Sequence, residues 1–295
     1  MSTRATVLVG GHPFDAHSFT AMWSALASVT ATIVSWPDAH AVFEPGGLDA
    51  TDVLVLYDMP GVGFRPDGPP QPVLPSATVR HGWERLLDQG VPVVALHHAI
   101  AGWPAWHRFA DIVGGRFHYS PARLRDVDYP DSGYRHNVSQ TLTVSTPDHP
   151  VCAGLPASFV LTDETYLCPI FADEVTPLLA TDAPLDAAHH WSAAAAVAGR
   201  LDDRAGWHHP TGAPLAAWTH RVANSTVVYL QPGDGPSAFE NPHYRTLLGN
   251  AVTWASNEPT GGGSTTSPIE SNRPGSIIGN RIGISATGQQ VPRHS

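Results

Sequence analysis

The sequence contains no lysine: all 16 of its basic residues are arginine. Schiff-base catalysis and the lysine of a phosphate-binding loop are thereby excluded. Cysteine is nearly as scarce. Cys152 and Cys168 stand alone, too few for a disulfide framework and too far apart for a Cys-x-x-Cys metal motif. Only 14% of residues are charged, and a formal net charge of -10 lacks the clustered positive charge that a nucleic-acid backbone requires. No apolar run approaches the roughly 18 residues of a membrane span. The N-terminus passes directly into Val7-Leu8-Val9 without the apolar core of a signal peptide. A cytoplasmic protein with neither nucleic acid nor membrane as partner is expected.

What is abundant is histidine, 17 residues in a chain of 295. The imidazole serves as base, acid or metal ligand near neutral pH. The chain is long enough to bury a full core, and its 42% hydrophobic content is ordinary for a soluble globular protein.

One stretch organises the rest: Val91-Pro-Val-Val-Ala-Leu96 followed by His97-His98-Ala99-Ile100-Ala101-Gly102-Trp103. The apolar run reads as a strand covered on both faces, as in a parallel sheet between helices. Ligands bind beyond the carboxyl ends of such strands, where His97 and His98 fall. Further strands are expected at Thr6–Val9, Ala31–Trp36, Thr51–Asp58 and Ser225–Leu230, with Val175–Ala180 and an edge strand at Thr141–Ser145. Helices are expected at Phe19–Ser28 (with Ser18 as cap), Ala77–Gln89, Trp103–Val113 and Asn241–Ser256. Alternating strands and helices predict an α/β doubly wound, mostly parallel sheet with helices on both faces. Gly61–Pro75 reads as a proline- and glycine-rich surface loop. Ala183–Pro214, with His189, His190, His208 and His209, reads as a long, mostly surface insertion with solvent-facing histidines.

After Glu258 the composition turns to glycine, serine, threonine and proline. Residues 1–258 are therefore expected to form one domain and 259–295 a flexible tail. The tail's apolar patch Ile277–Ile284 is a candidate to pair with a sheet edge or a second subunit.

These signposts together resemble the trehalose-utilisation (ThuA-like) family, a branch of the class I glutamine-amidotransferase-like, flavodoxin-type fold. The resemblance covers roughly Thr6 to Ser256. It rests on the strand leading to His97, the turn Gly114-Gly115-Arg116-Phe117-His118, and Asp148-His149-Pro150 with Gly154-Leu155-Pro156. Asp163-Glu164-x-Tyr166 and the closing helix at Thr253-Trp254-Ala255 complete it. It implies a single amidotransferase-like domain and a role in the metabolism of disaccharides, including their oxidised keto forms. A homodimer is the default expectation on such a scaffold. Two positions depart from the pattern. The turn that carries the amidotransferase cysteine reads His97-His98-Ala99, so glutamine hydrolysis by that route is excluded. The Gly-His usual after the last core strand is here Gly233-Asp234.

Candidate site residues follow from convergence. His12, Asp58, His97 and Asp234 each follow an expected core strand and are brought to one sheet edge, although Asp and His beside glycine also form turns. His97 is the candidate general base. Glu164 or Asp163 is the candidate acid, because paired carboxyls push one pKa upward. His12, Asp58, His98, Trp103, His118, Tyr166 and Asp234 are candidates for substrate binding, the aromatics by stacking on sugar faces. A divalent metal, zinc foremost, would use His12, His97 and His118, assembled in space since no short His-x-x-x-His spacing exists. Two functions remain in view. One is an enzyme acting on a sugar or keto-glycoside by acid–base or metal-assisted chemistry. The other is a sugar-binding or accessory subunit that kept the scaffold without its nucleophile.

Overall fold

The alternating pattern produces a doubly wound arrangement in the computed structural model, which describes residues 2–65 and 68–259. The chain opens with β1 (Thr3–Gly10), α1 (Ala16–Ser24), β2 (Val29–Ser35) and β3 (Val53–Asp58). β3 is buried along its length, as a strand covered on both faces must be. A hairpin of β4 (Val62–Arg65) and β5 (Gly68–Pro72) follows. α2 (Ala77–Asp88) begins at Ser76, whose side chain accepts a hydrogen bond from the Val79 amide. β6 (Val93–Leu96) leads into a 3-10 turn over His97–Ala101 and then α3 (His107–Val113), which stops at left-handed Gly114. β7 (Ala122–Leu124) and β8 (Val127–Tyr129) form a second small hairpin. Next come β9 (Gly133–Val144), β10 (Ser158–Leu167), β11 (Thr176–Thr181), β12 (Trp191–Ser192), α4 (Ala193–Val197), β13 (Leu215–Val222) and β14 (Ser225–Leu230). α5 (Pro236–Phe239) and α6 (Pro242–Asn257) close the core.

The main sheet runs β10-β9-β11-β13-β14-β6-β3-β1-β2, with β12 paired to β9. From β14 to β2 every pair is parallel. From β14 to β10 every pair is antiparallel. One face packs on Phe19, Met22, Leu247, Leu248 and Val252 of α1 and α6. The other packs on Val79, Trp83, Leu86, Phe109 and Ile112 of α2 and α3. No helix among the described residues is long and apolar enough to cross a membrane.

Several local expectations are corrected. The Gly61–Pro75 stretch is a hairpin; its prolines are tolerated because a two-stranded ribbon is all edge. The first helix starts three residues before Phe19, and its cap is Asp15, whose carboxylate accepts from the Ser18 amide at 2.7 Å. Thr141–Ser145 belongs to an interior strand, because β9 has β10 on one side and β11 and β12 on the other. Within the mostly surface insertion, which also supplies β12 and α4, His190 is buried and not solvent-facing. The tail patch Ile277–Ile284 lies outside the described residues.

Candidate functional site

The carboxyl ends of β1, β3, β6 and β14 open on one edge of the sheet, and His97 stands at its centre. Its φ of +45° is left-handed, a conformation that costs a non-glycine residue roughly 1–2 kcal/mol. The chain is held there by the Tyr229 hydroxyl, which donates to the His97 carbonyl at 2.7 Å. The imidazole is fully buried. Its Nδ1 lies 2.7 Å from the Gln231 carbonyl. A carbonyl only accepts, so Nδ1 carries a proton and Nε2 is the working atom.

Nε2 lies 2.8 Å from the Tyr166 hydroxyl, 3.0 Å from Glu164 Oε2 and 3.4 Å from Asp234 Oδ1. Burial disfavours a charge on His97, but hydrogen bonds to Asp234 and Glu164 outweigh it and raise the pKa well above the ordinary histidine value. Asp234 answers in kind: its partial burial is outweighed by His97, and its pKa falls to about 2. The raised His97 pKa and the lowered Asp234 pKa both favour an imidazolium–carboxylate pair over a free imidazole base.

Glu164 is delivered by a fault in the sheet. Asp163 pairs with Val138 and Thr165 with Arg135, so Glu164 alone faces both His136 and Asn137. This is a β-bulge, and Asn137 takes its left-handed position at φ +56°, which asparagine tolerates. At the bulge His136 stays half exposed, and its Nδ1 lies 3.0 Å from Glu164 Oε1. Sequence reasoning missed His136 because the bulge breaks the alternation that would reveal β9 before Thr141. Gln231 and Tyr229 were likewise unmarked: one acts through a backbone carbonyl, the other from inside a strand.

Glu164, Tyr166, His12 and His136 line a cavity of about 180 Å³, walled by Phe117, Tyr119 and Tyr134. His97 is not on this wall and reaches it through Glu164 and Tyr166. His12 Nδ1 is buried without a hydrogen-bond partner among the described residues. Burial, then the charge of His97, lowers the His12 pKa, leaving a neutral imidazole able to meet a hydroxyl.

Other expected residues lie elsewhere. Asp163 accepts from the Gly233 amide at 2.7 Å and the Asp234 amide at 3.2 Å. It fixes the loop that carries Asp234 and does not line the cavity, and burial raises its pKa to about 6. Asp58 accepts from Trp36 Nε1 at 2.6 Å, and burial raises its pKa to about 6; it braces Trp36 and does not line the cavity. His98 is buried behind His12, with ring centroids 4.4 Å apart, so it touches no ligand in this cavity. Trp103 packs edge-on against Trp36 at 5.7 Å beside a different cleft. His118 stacks on Tyr129 at 6.1 Å; burial and then Arg116 push its pKa to about 4. The trio His12, His97 and His118 is accordingly not assembled for a metal. Among the described residues, the group able to hold one cation is His97, Glu164 and Asp234, with donor atoms within 4.8 Å of one another.

A family model described as trehalose utilisation, ThuA, matches residues 6–255. No curated protein matches the chain. A ThuA-like protein from Parabacteroides merdae has the same fold at 14% identity, with a TM-score of 0.59 over 87% of this chain and 91% of the other. A second, from Bacteroides uniformis, is 20% identical with a TM-score of 0.59 over 86% of this chain and 91% of the other. The family match spans most of the sequence and every element that builds the site, so the chain belongs to the ThuA trehalose-utilisation family and its role is carbohydrate-related.

Proposed function

We propose that the protein is an enzyme of carbohydrate catabolism that moves a proton on a keto-glycoside. The observation that carries this reading is the Glu164 carboxylate, held on the cavity wall between His97 Nε2 and His136 Nδ1, each at 3.0 Å. A carboxylate fixed from both sides is oriented to take a proton from the carbon beside a ketone. The Tyr166 hydroxyl, which burial keeps protonated, donates its proton to the ketone oxygen. His97 passes its Nε2 proton to Tyr166 across 2.8 Å. The sugar becomes an enediol, Glu164 holds the carbon's proton, and His97 is neutral. Glu164 giving its proton to the former ketone carbon, as the hydroxyl on the other carbon loses its own, completes an isomerisation. Glu164 giving it instead to a departing oxygen substituent on the next carbon, as the enol oxygen returns its proton through Tyr166 to His97, completes an elimination. His97 and Asp234 act from behind the reacting groups, and His12 and His136 bind sugar hydroxyls.

The test is steady-state turnover of a keto-disaccharide. Glu164→Gln should lower kcat by about 10²–10⁴-fold and leave KM within a few-fold. Equal kcat in the variant overturns the assignment, and binding without turnover in wild type favours an accessory sugar-binding subunit. A second reading rests on the one cation-capable group: His97, Glu164 and Asp234 offer one nitrogen and two oxygens, a donor set suited to zinc or manganese. A bound ion would polarise the ketone oxygen. About one equivalent of metal in protein purified without chelator, lost in His97→Ala, would favour it.

A further inference from the structure

The inner cavity of about 180 Å³ is smaller than the roughly 300–1,000 Å³ of a site that encloses a drug-sized ligand. It takes one sugar ring, so the rest of a disaccharide must lie outside. His136 lines this cavity and also a second cleft of about 630 Å³, so the two meet at that residue. That cleft is built on the outer side of the same β-bulge, from Arg135, Asn137 and Thr165, with Trp191, Asp202 and Arg204 opposite.

Its chemistry differs from that of the inner cavity. The Arg135 guanidinium lies 4.0 Å over the Trp191 ring, and that of Arg204 lies 5.9 Å from it. Neither makes an ion pair among the described residues, and what sets the two apart from other unpaired arginines is the Trp191 ring that both approach. Arg204 is further tethered by donating to the Ala188 carbonyl. Two cations without a carboxylate partner thus meet at one aromatic ring. Asp202 is the one carboxylate on the lining, and it too makes no ion pair. A guanidinium over an aromatic ring still offers N–H donors to an anion. Asn137 and Asp202 both take left-handed backbone at φ +56°, and such conformations cluster where ligands are held.

The geometry points to a subsite for an anionic substituent, a phosphate or a carboxylate, on the outer sugar of the substrate, gripped by Arg135 and Arg204 beside Trp191. This rests on the inner cavity being the sugar site. The substrate is then a disaccharide charged on one ring and reacting on the other.

Calorimetry on the full chain at low salt would compare trehalose, its 6-phosphate ester and the matching uronic acid. At least one charged sugar should bind at least tenfold more tightly than trehalose, and the tighter of the two identifies the anion. Arg135→Gln and Arg204→Gln should each remove most of that preference and leave trehalose binding unchanged. Two variants guard against one losing its fold, checked by its melting temperature. Equal affinity for charged and neutral sugars, or a preference that survives both substitutions, overturns the inference. Glu164→Gln should keep the preference and lose turnover, so the two proposals fail separately: turnover without anion preference sinks only this one.

Discussion

At the scale of single residues, the site is a question of where protons reside. The Gln231 carbonyl fixes the tautomer of His97, and two carboxylates fix its charge. Removing one carboxylate must lower the His97 pKa, because it removes stabilisation of the charged form. Asp234→Asn should therefore move the alkaline limb of the pH–activity profile toward neutrality, while wild type stays active well above the ordinary histidine range. Nitrogen NMR of His97 checks the cause directly: both ring nitrogens protonated at pH 7.5 in wild type, and a shift toward the Nδ1-protonated neutral form in the variant. A limb that does not move would show that His97 is not the group being titrated.

At the scale of elements, two backbone features aim the side chains. The bulge in β9 exists because Asn137 accepts a left-handed φ of +56°. Asn137→Val places a β-branched residue there, at a cost of about 1–3 kcal/mol, and should turn His136 away from Glu164, lowering kcat more than stability. Gly233 is the second. At φ +131°, an added Cβ would meet the Tyr244 hydroxyl at 2.5 Å and approach His97 Cβ at 3.7 Å. Gly233→Ala should displace the Asp234 loop and lower both melting temperature and activity. Adding Tyr244→Phe removes the clashing oxygen and should restore part of each; no recovery in the double variant would mean that the strained φ alone is responsible.

These features explain what was legible in the sequence. The strand into His97 was readable because a buried strand ending in polar residues marks a ligand edge, whereas Glu164 and Tyr166 were readable as a carboxylate pair beside a stacking aromatic. His12 and Asp234 were readable, like His97, from their place at strand ends. Asp58 obeys the same rule, yet Trp36 occupies its carboxylate, a tertiary contact that no local pattern encodes. His136 was hidden by the bulge, and Trp103 and His118 look like ligand contacts until packing places them elsewhere. The parallel half of the sheet followed from its apolar runs. Its antiparallel extension, β9 to β13, was legible only in pieces, at Thr141–Ser145 and Val175–Ala180, because those strands are interrupted by bulges.

At the scale of the whole molecule, buried histidines link folding to pH. His190 is buried against Thr165 at 3.2 Å, and burial lowers its pKa to about 4. The unfolded chain, with an ordinary histidine value near 6.5, binds the proton first. The stability contributed by neutral His190 is thus present above about pH 6.5 and lost as pH falls toward about 4. His190→Gln lacks this titration, so its deficit in urea midpoint relative to wild type should shrink from pH 7 to pH 5. A deficit independent of pH would contradict the burial of a neutral ring.

The central claim is that this protein moves a proton on a keto-sugar through Glu164, and solvent exchange tests it most directly. A keto-disaccharide incubated with the protein in deuterium oxide should gain deuterium at the carbon beside the ketone, followed by proton NMR. The account predicts rapid exchange with wild type, none above background with Glu164→Gln, and slowed exchange with Tyr166→Phe. Exchange at equal rates in wild type and Glu164→Gln would contradict it.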